Sequence, residues 1–194
     1  INKEIMMPDD LYIVTRCKNG DENAFEELVM LYQKRIYGML YQLTGNHFEA
    51  EDLSQEAFIK AYKNLHSFNG NSSFQTWLYK IARNLAFTHL KKKGRRNGLL
   101  YNLINAKKAL ITMETDPVYT LVQEELKNKI DKALSALPLL QKEVVVLVLL
   151  QELSYKEAAE IQGCSEGTIA WRLHRARNIL MSILGPGLNK EVKQ

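Results

Sequence analysis

The chain has 194 residues, of which 46% are hydrophobic, and its 26 Lys and Arg outnumber 22 Asp and Glu for a formal net charge of +4. That length holds one large domain or two small ones, and four prolines beside abundant Leu, Ala, Lys and Glu favour helix throughout. The longest apolar run, Val144 to Leu150, is far too short to span a bilayer, and no stretch alternates long enough to form a strand.

The N-terminus has no hydrophobic signal core, and the residues before Met6 or Met7 read as an appended or processed end. A first helix is expected over Ala24–Leu43, where Phe25, Leu28, Val29, Tyr32, Ile36, Leu40 and Leu43 recur at helical spacing before Gly45 and Asn46 stop it. A second begins near Phe48 and turns Leu53, Ala57, Phe58, Ala61, Tyr62 and Leu65 inward. The loop "NGNSS" follows, because Gly and Asn accept backbone angles that a helix refuses. A third helix is expected from Phe74 to Lys92, with Leu78, Ile81, Ala82, Leu85 and His89 as its inner stripe and Gly94 as its end.

These helices make a first domain over residues 9–96. A second, over 118–184, is read as helices at Val118–Leu137, Leu140–Gln151, Tyr155–Ile161 and Glu166–Leu184, with a tail over 185–194. The linker, 97–117, carries an apolar stripe of Leu99, Leu103, Ala106, Leu110 and Met113, so it is expected to form a helix that docks on one domain and holds the chain closed. The fold class is therefore all-α: two small helical domains joined by a linker.

Charge is unevenly laid out. Residues 1–56 carry 11 acids and 5 bases, whereas residues 57–113 carry 11 bases and no acid. A solvated face mixes both signs, so the acid-free block points to a polyanion, either nucleic acid or an anionic membrane. An interfacial helix needs a free apolar face, and the core takes that face here, so no membrane insertion is expected. Lys80, Asn84, Phe87 and Lys91 climb one side of the third helix with Arg83 beside them, and "KKKGRR" extends the charge. Just before it, "SFNGNSSFQTWLYKIARN" sets Phe68, Phe74, Trp77 and Tyr79 around a polar loop. Those rings are either core or stacking faces for unpaired bases, worth about 1–3 kcal/mol each. Phe74 and Trp77 fit better as a hinge between loop and helix. Asn69, Asn71, Ser72 and Ser73 can donate to and accept from a base drawn out of its stack.

Asp52, Gln55 and Glu56 share one helix face, and carboxylates repel phosphate, so that face suits a basic protein partner. In "LSYKEAAEIQGCSEGTIAWRLHRAR", Gly163 suits a left-handed turn and Ser165 can cap the next helix. Ile169, Leu173, Ala176 and Leu180 face in, while Arg172, Arg175 and Arg177 face out or to the flanks. This is a helix-turn-helix, whose second helix enters a major groove; an ordinary hairpin with a basic exterior is the plainer alternative. His47, His66, His89 and His174 are scattered, and Cys17 and Cys164 stand alone as packing thiols suited to a reduced cytoplasm. No catalytic centre, metal or cofactor is expected.

Taken together these residues resemble the small extracytoplasmic-function (ECF) class of bacterial sigma-70 RNA polymerase sigma factors, from about Asp9 to Leu184. The resemblance rests on "AEDLSQEAFIKAY", on the aromatic loop segment and on the helix-turn-helix, in the family's order. It implies a transcription initiation factor, not an enzyme. Asp52, Gln55 and Glu56 would dock on the β′ clamp helices of core RNA polymerase, with the β flap as a further contact. Phe68, Asn69, Asn71, Ser72, Ser73 and Asn84 would capture a flipped base of the promoter −10 element, and Lys80, Arg83 and Lys91 would hold that strand. Ser165, Thr168, Trp171, Arg172, Arg175 and Arg177 would read the −35 element. An anti-sigma factor is a further implied partner. Ala170 and Trp171 depart from the family's usual basic or small polar pair, leaving Trp171 to stack on a sugar edge, touch a thymine methyl or pack away from DNA. A stand-alone repressor of duplex DNA is the alternative; it leaves the acidic face and the aromatic loop without a task.

Overall fold

The computed structural model describes residues 10–101 and 129–185, which form helices joined by short turns. Helix α1, Asp10–Lys18, buries Ile13 and Val14 against the helices that follow; its short period escapes a reading by long stripes. Helix α2 spans Glu22–Thr44. The Asp21 carboxylate accepts from the amides of Asn23 and Ala24 at its start, and Gly45 at φ +67° closes its end. Helix α3, His47–Lys63, begins at Asn46, whose side chain accepts from Glu49 N. A single 3-10 turn, Leu65–Ser67, leads into the polar loop.

Helix α4 runs Phe74–Tyr101, past the expected stop. Gly94 does not end it, because its φ is not left-handed and a helix-interior Gly costs only about 1 kcal/mol relative to Ala. Flanking Lys and Arg residues, good helix formers, carry the helix through. The linker stripe beyond Tyr101, and the expected helix between 118 and 128, lie outside the described residues.

Residues 129–135 form the described part of α5. Helix α6, Leu139–Val145, starts at Pro138 and passes into a π turn, Val146–Leu150, where the expected helix was a regular one. The Gln151 amide donates to Val146 O at 2.9 Å, and Glu152 then reverses the chain at φ 57°. Helix α7, Tyr155–Gln162, opens with a reciprocal cap between Ser154 and Glu157. Gly163, at φ +67°, makes the turn to α8, Glu166–Leu184.

In the N-terminal half, Leu28, Ile36, Met39, Leu40 and Leu78 fill the space between α2, α3 and α4. In the C-terminal half, Leu147, Ile169 and Leu173 do the same for α6, α7 and α8. The halves are not separate bodies: α4 packs on α7, and α2 packs on α6 and the π turn, so one buried cluster runs through both. The expected inward stripe of α3 needs one correction. Tyr62 is 51% exposed, its ring resting edge-on against Phe25 at 5.0 Å, because it sits on the flank of α3 facing the start of α2.

Candidate nucleic-acid and protein interfaces

The helix-turn-helix is assembled by local chemistry. Ser165 Oγ accepts from Thr168 N at 3.2 Å and pairs with Thr168 Oγ1 at 2.9 Å, so both hydroxyls serve the cap. Ile169, Leu173 and Ala176 are buried, which turns the opposite side of α8 to solvent. There Trp171 is 58% exposed, with the Arg175 guanidinium 5.5 Å above its ring. Arg177 is exposed as well. A rigid helix presenting a flat ring and cations fits the dimensions and charge of a DNA major groove.

Between α3 and α4 lies an open groove of about 550 Å³, lined by Lys60, Asn64, Trp77, Asn84, His89 and Lys92 among others. Asn84 is exposed and offers both a donor and an acceptor. Glu49 closes one side of α4: burial pushes its carboxyl up, but Lys93 at 2.6 Å and His89 at 3.1 Å outweigh that and hold it low. The His89 ring thus sits against Glu49 on the flank of α4.

On α3, Asp52, Gln55 and Glu56 are all exposed on one side, and Glu56 reaches Lys60 at 3.1 Å. Ile59, one turn on, continues that face as an exposed apolar residue. An acidic stripe with an apolar end suits a protein surface rather than a phosphate chain.

Comparison with known proteins decides the family. The Sigma-70 region 2 family model matches residues 28–96, and Sigma-70, region 4 matches residues 127–180. The ECF RNA polymerase sigma factor SigW of Bacillus subtilis (strain 168) is 38% identical over 178 residues, covering 86% of this chain and 92% of its own. The chain belongs to the ECF sigma factors. The RNA polymerase sigma-H factor of Pseudomonas aeruginosa is 34% identical over 187 residues, covering 93% of this chain and 96% of its own. The sigma factor RpoE of Bartonella quintana, solved in complex with the anti-sigma factor NepR, superposes with a TM-score of 0.67 at 29% identity, covering 84% of this chain and 98% of that one.

In this sigma factor the expected site residues divide into three groups. Asp52, Gln55, Glu56, Asn69, Asn71, Ser73, Asn84, Lys91, Ser165, Trp171, Arg175 and Arg177 are exposed where the sequence reading puts them, and Ser72 and Thr168 are half-buried. Trp171 does not pack away into the protein.

A second group faces inward. The Phe68 ring is 4% exposed, wedged against Phe74 at 5.9 Å and Trp77 at 5.4 Å, while Lys18 donates to its carbonyl at 2.5 Å. Phe74 and Tyr79 are buried too. Gly70, at φ +76°, turns the loop beside Leu11 of α1, and Phe68 and Phe74 pack with Tyr32 in the core while Tyr79 meets Gln151. Stacking by Phe68 is therefore corrected: of the four rings only Trp77 is partly accessible, and it lines the groove beside Asn84. Arg172 is likewise half-buried, donating to Gln162 Oε1 and lying 3.6 Å from Cys164 Sγ. These contacts brace the turn of the helix-turn-helix.

The third group is engaged across the halves. Lys80 Nζ lies 2.8 Å from Glu160, and Arg83 Nε donates to Glu143 Oε1 at 2.7 Å with its guanidinium stacked over Phe87. Tyr79 Oη donates to Gln151 at 2.7 Å, and burial pushes its hydroxyl up to about 12. Burial also pushes the Glu143 carboxyl up, with Arg83 as the chief opposing influence. Lys142, its pKa lowered by burial, points at Leu43 O at the carbonyl end of α2. Lys60 escaped the sequence reading of the site, which places Trp77 in the hinge between loop and helix and Lys92 only within the charged run after α4's inner stripe. The signal that joins Trp77 and Lys92 in one site was the spacing of Trp77, Asn84, Thr88 and Lys92 on one side of α4.

Proposed function

We propose that this chain binds core RNA polymerase in the cytoplasm and directs it to promoters, leaving RNA synthesis to the polymerase. One observation carries the reading: a single chain presents, in order, an acidic stripe on α3, an adjoining groove beside Asn84 walled by Lys60, Lys92 and Glu56, and an exposed recognition helix within the two sigma-70 regions. A repressor needs only the last of these.

In this reading Asp52, Gln55, Glu56 and Ile59 seat on the clamp helices of the β′ subunit, and the C-terminal half meets the β flap. Asn84, Trp77 and the side chains of Asn69, Asn71, Ser72 and Ser73 receive an unpaired −10 base, the ring stacking and the amides pairing. Lys80, Arg83, Lys91 and Lys92 hold the phosphates of that strand. Trp171, Arg175 and Arg177 read the −35 duplex, with Ser165 and Thr168 at the end of the same helix. The RpoE relative was solved with an anti-sigma factor, and an anti-sigma factor is the regulator we expect here. Among the described residues no helix is long and apolar enough to cross a membrane.

The test compares promoter fragments with and without core polymerase. Specific binding and permanganate-reactive thymines should arise only with core enzyme. Tight specific duplex binding by the chain alone, or a complete holoenzyme that leaves every thymine unreactive, overturns the proposal.

A further inference from the structure

Helix α1 lies before the matched sigma-70 region 2 and outside the acidic stripe, the groove and the recognition helix, yet it is built onto the polar loop. Leu11, Val14 and Lys18 fall at steps of three and four, so they share one side of α1. Val14 is buried, which fixes that side against the core, and the residues flanking it meet the loop at two points. Lys18 Nζ donates to the Phe68 carbonyl at 2.5 Å and lies 5.9 Å from the centre of the Phe68 ring. Leu11 stands beside Gly70, where an added Cβ would come within 3.7 Å of Leu11 Cδ1. The helix is itself anchored. Arg16 pairs with Asp21 at 2.6 Å and Glu27 at 2.9 Å, and the Tyr32 hydroxyl donates to Asp10.

From this geometry we infer that Lys18 is a positioning residue for promoter opening: it sets the shape of the loop that receives the unpaired −10 base and touches no DNA itself. The inference rests on the reading of the loop, Trp77 and Asn84 as that receiving surface. The Lys18 ammonium is held on a backbone carbonyl at the entrance of the loop. The ring of that same residue, Phe68, is 4% exposed and packs at 5.4 Å on Trp77, which lines the groove with Asn84. Fixing Phe68 therefore fixes both where the polar loop starts and how Trp77 stands. Ser73 holds the exit, its hydroxyl accepting from Thr76 N at 3.1 Å as α4 begins. Between these ends Asn69, Gly70 and Asn71 are exposed, and the Asn69 side chain accepts from Asn71 N at 3.1 Å within the loop itself. A short polar segment of this kind samples other shapes unless its ends are held. A base binds only the fraction of molecules already in the receiving shape, so a clamp on the entrance raises affinity for the base without meeting it.

Holoenzyme reconstituted with the full chain, bound to promoter fragments already single-stranded at the −10 element, isolates this step. Lys18→Met keeps the apolar stem and removes the donor. It should bind such a template about five- to tenfold more weakly than wild type, the range of one half-exposed charge-assisted hydrogen bond. A second template carries an abasic residue at the −10 position whose loss weakens wild type most. There the two proteins should differ by less than about twofold, because the coupling between Lys18 and the base is gone. Lys18→Arg, which can still donate to the carbonyl, should recover most of the loss on the intact template. Affinity for core polymerase should be unchanged in both variants. The slope of log affinity against log salt should also hold, whereas loss of a direct phosphate contact would reduce it by about 0.7. Leu11→Ala, at an exposed position, should give the same template-dependent pattern at about two- to threefold, as expected for a partly buried apolar contact.

Equal losses on the intact and abasic templates overturn the inference, since Lys18 would then act on the fold as a whole. A salt slope reduced by about 0.7 overturns it by making Lys18 a phosphate contact. A Lys18→Met holoenzyme that binds the intact template as wild type does overturns it too. If Lys18→Met does not assemble with core polymerase, Leu11→Ala decides by the same comparison. Failure of the underlying reading looks different: no abasic position then weakens wild-type binding, and that result removes both.

Discussion

Replacing Arg83 with Met strips the cation from a carboxylate that is 1% exposed and held by one short hydrogen bond at 2.7 Å. Removing one partner of a fully buried pair costs about 3–5 kcal/mol, because the remaining charge is stranded away from water. Arg83 is 18% exposed, and screening at its solvent edge brings the expected loss to the bottom of that range or just below it, about 2–3 kcal/mol. Two escape routes cap the loss. Glu143 can take up a proton, or the halves can part and let water reach it, so the deficit cannot exceed the free energy of docking.

The first route makes the effect pH-dependent, and its sign follows from the direction of the shift. Burial already raises the Glu143 pKa in the folded chain, and loss of Arg83 raises it further. A raised carboxyl pKa means that the folded chain holds its proton more firmly than the unfolded one. Its stabilising influence is full below the unfolded value and fades as pH rises through the folded value. The Arg83→Met deficit should therefore be smallest near about pH 4 and grow towards neutrality. Adding Glu143→Gln should restore most of the loss at neutral pH, since a neutral amide needs no cation. Urea unfolding followed by far-UV circular dichroism measures the whole chain. Trp77 and Trp171, the two tryptophans, report the N- and C-terminal halves separately once each is studied in the absence of the other. A deficit under about 0.5 kcal/mol at neutral pH, or one that stays flat on acidification, would refute this account of the pair.

Three other outcomes follow from the geometry. Charge reversal at Asp52 and Glu56 together should abolish holoenzyme assembly in a pull-down with core polymerase while helix content is retained, since both side chains are exposed and bury nothing; unchanged affinity removes the acidic stripe from the interface. Asn84→Ala should depress permanganate reactivity of the promoter bubble more than initial promoter engagement, and equal losses in both steps would count against base capture. Ser154→Ala breaks a reciprocal cap with Glu157 and should lower stability by about 1 kcal/mol in the unfolding reported by Trp171; a neutral result would mean that α7 is held by packing alone.

Much of the architecture is local chemistry. Asp21, Asn46, Ser154 and Ser165 cap the helices that follow them, and Gly45 and Gly163 close α2 and α7, each through partners within five positions. Such partners travel with the chain whatever the rest of it does, so the helix-turn-helix and the α2–α3 turn were legible in advance. The acidic stripe on α3 was legible for the same reason, since helical spacing alone sets which side Asp52, Gln55 and Glu56 share. Where a local signal misled, a wider context overruled it: Gly94 yielded to the helix formers around it, and the end of the expected regular helix after Pro138, Val146–Leu150, is a π turn that packs against α2.

The sequence by itself therefore determined an all-helical chain of two sigma-70 regions, its caps, its recognition helix and the sign of charge on each surface. Only the tertiary structure decided which groups are free to act. Phe68 and Tyr79 became core because a loop folded over α1 and a second half docked on α4, and Arg172 turned inward to Gln162. Lys80 and Arg83 found their carboxylates 80 and 60 residues away. Periodicity specifies which side of a helix a residue occupies, but not what covers that side. Burial and pairing depend on docking between segments far apart in the chain, and one docked seam turned the cations of α4 from an open surface into an occupied one.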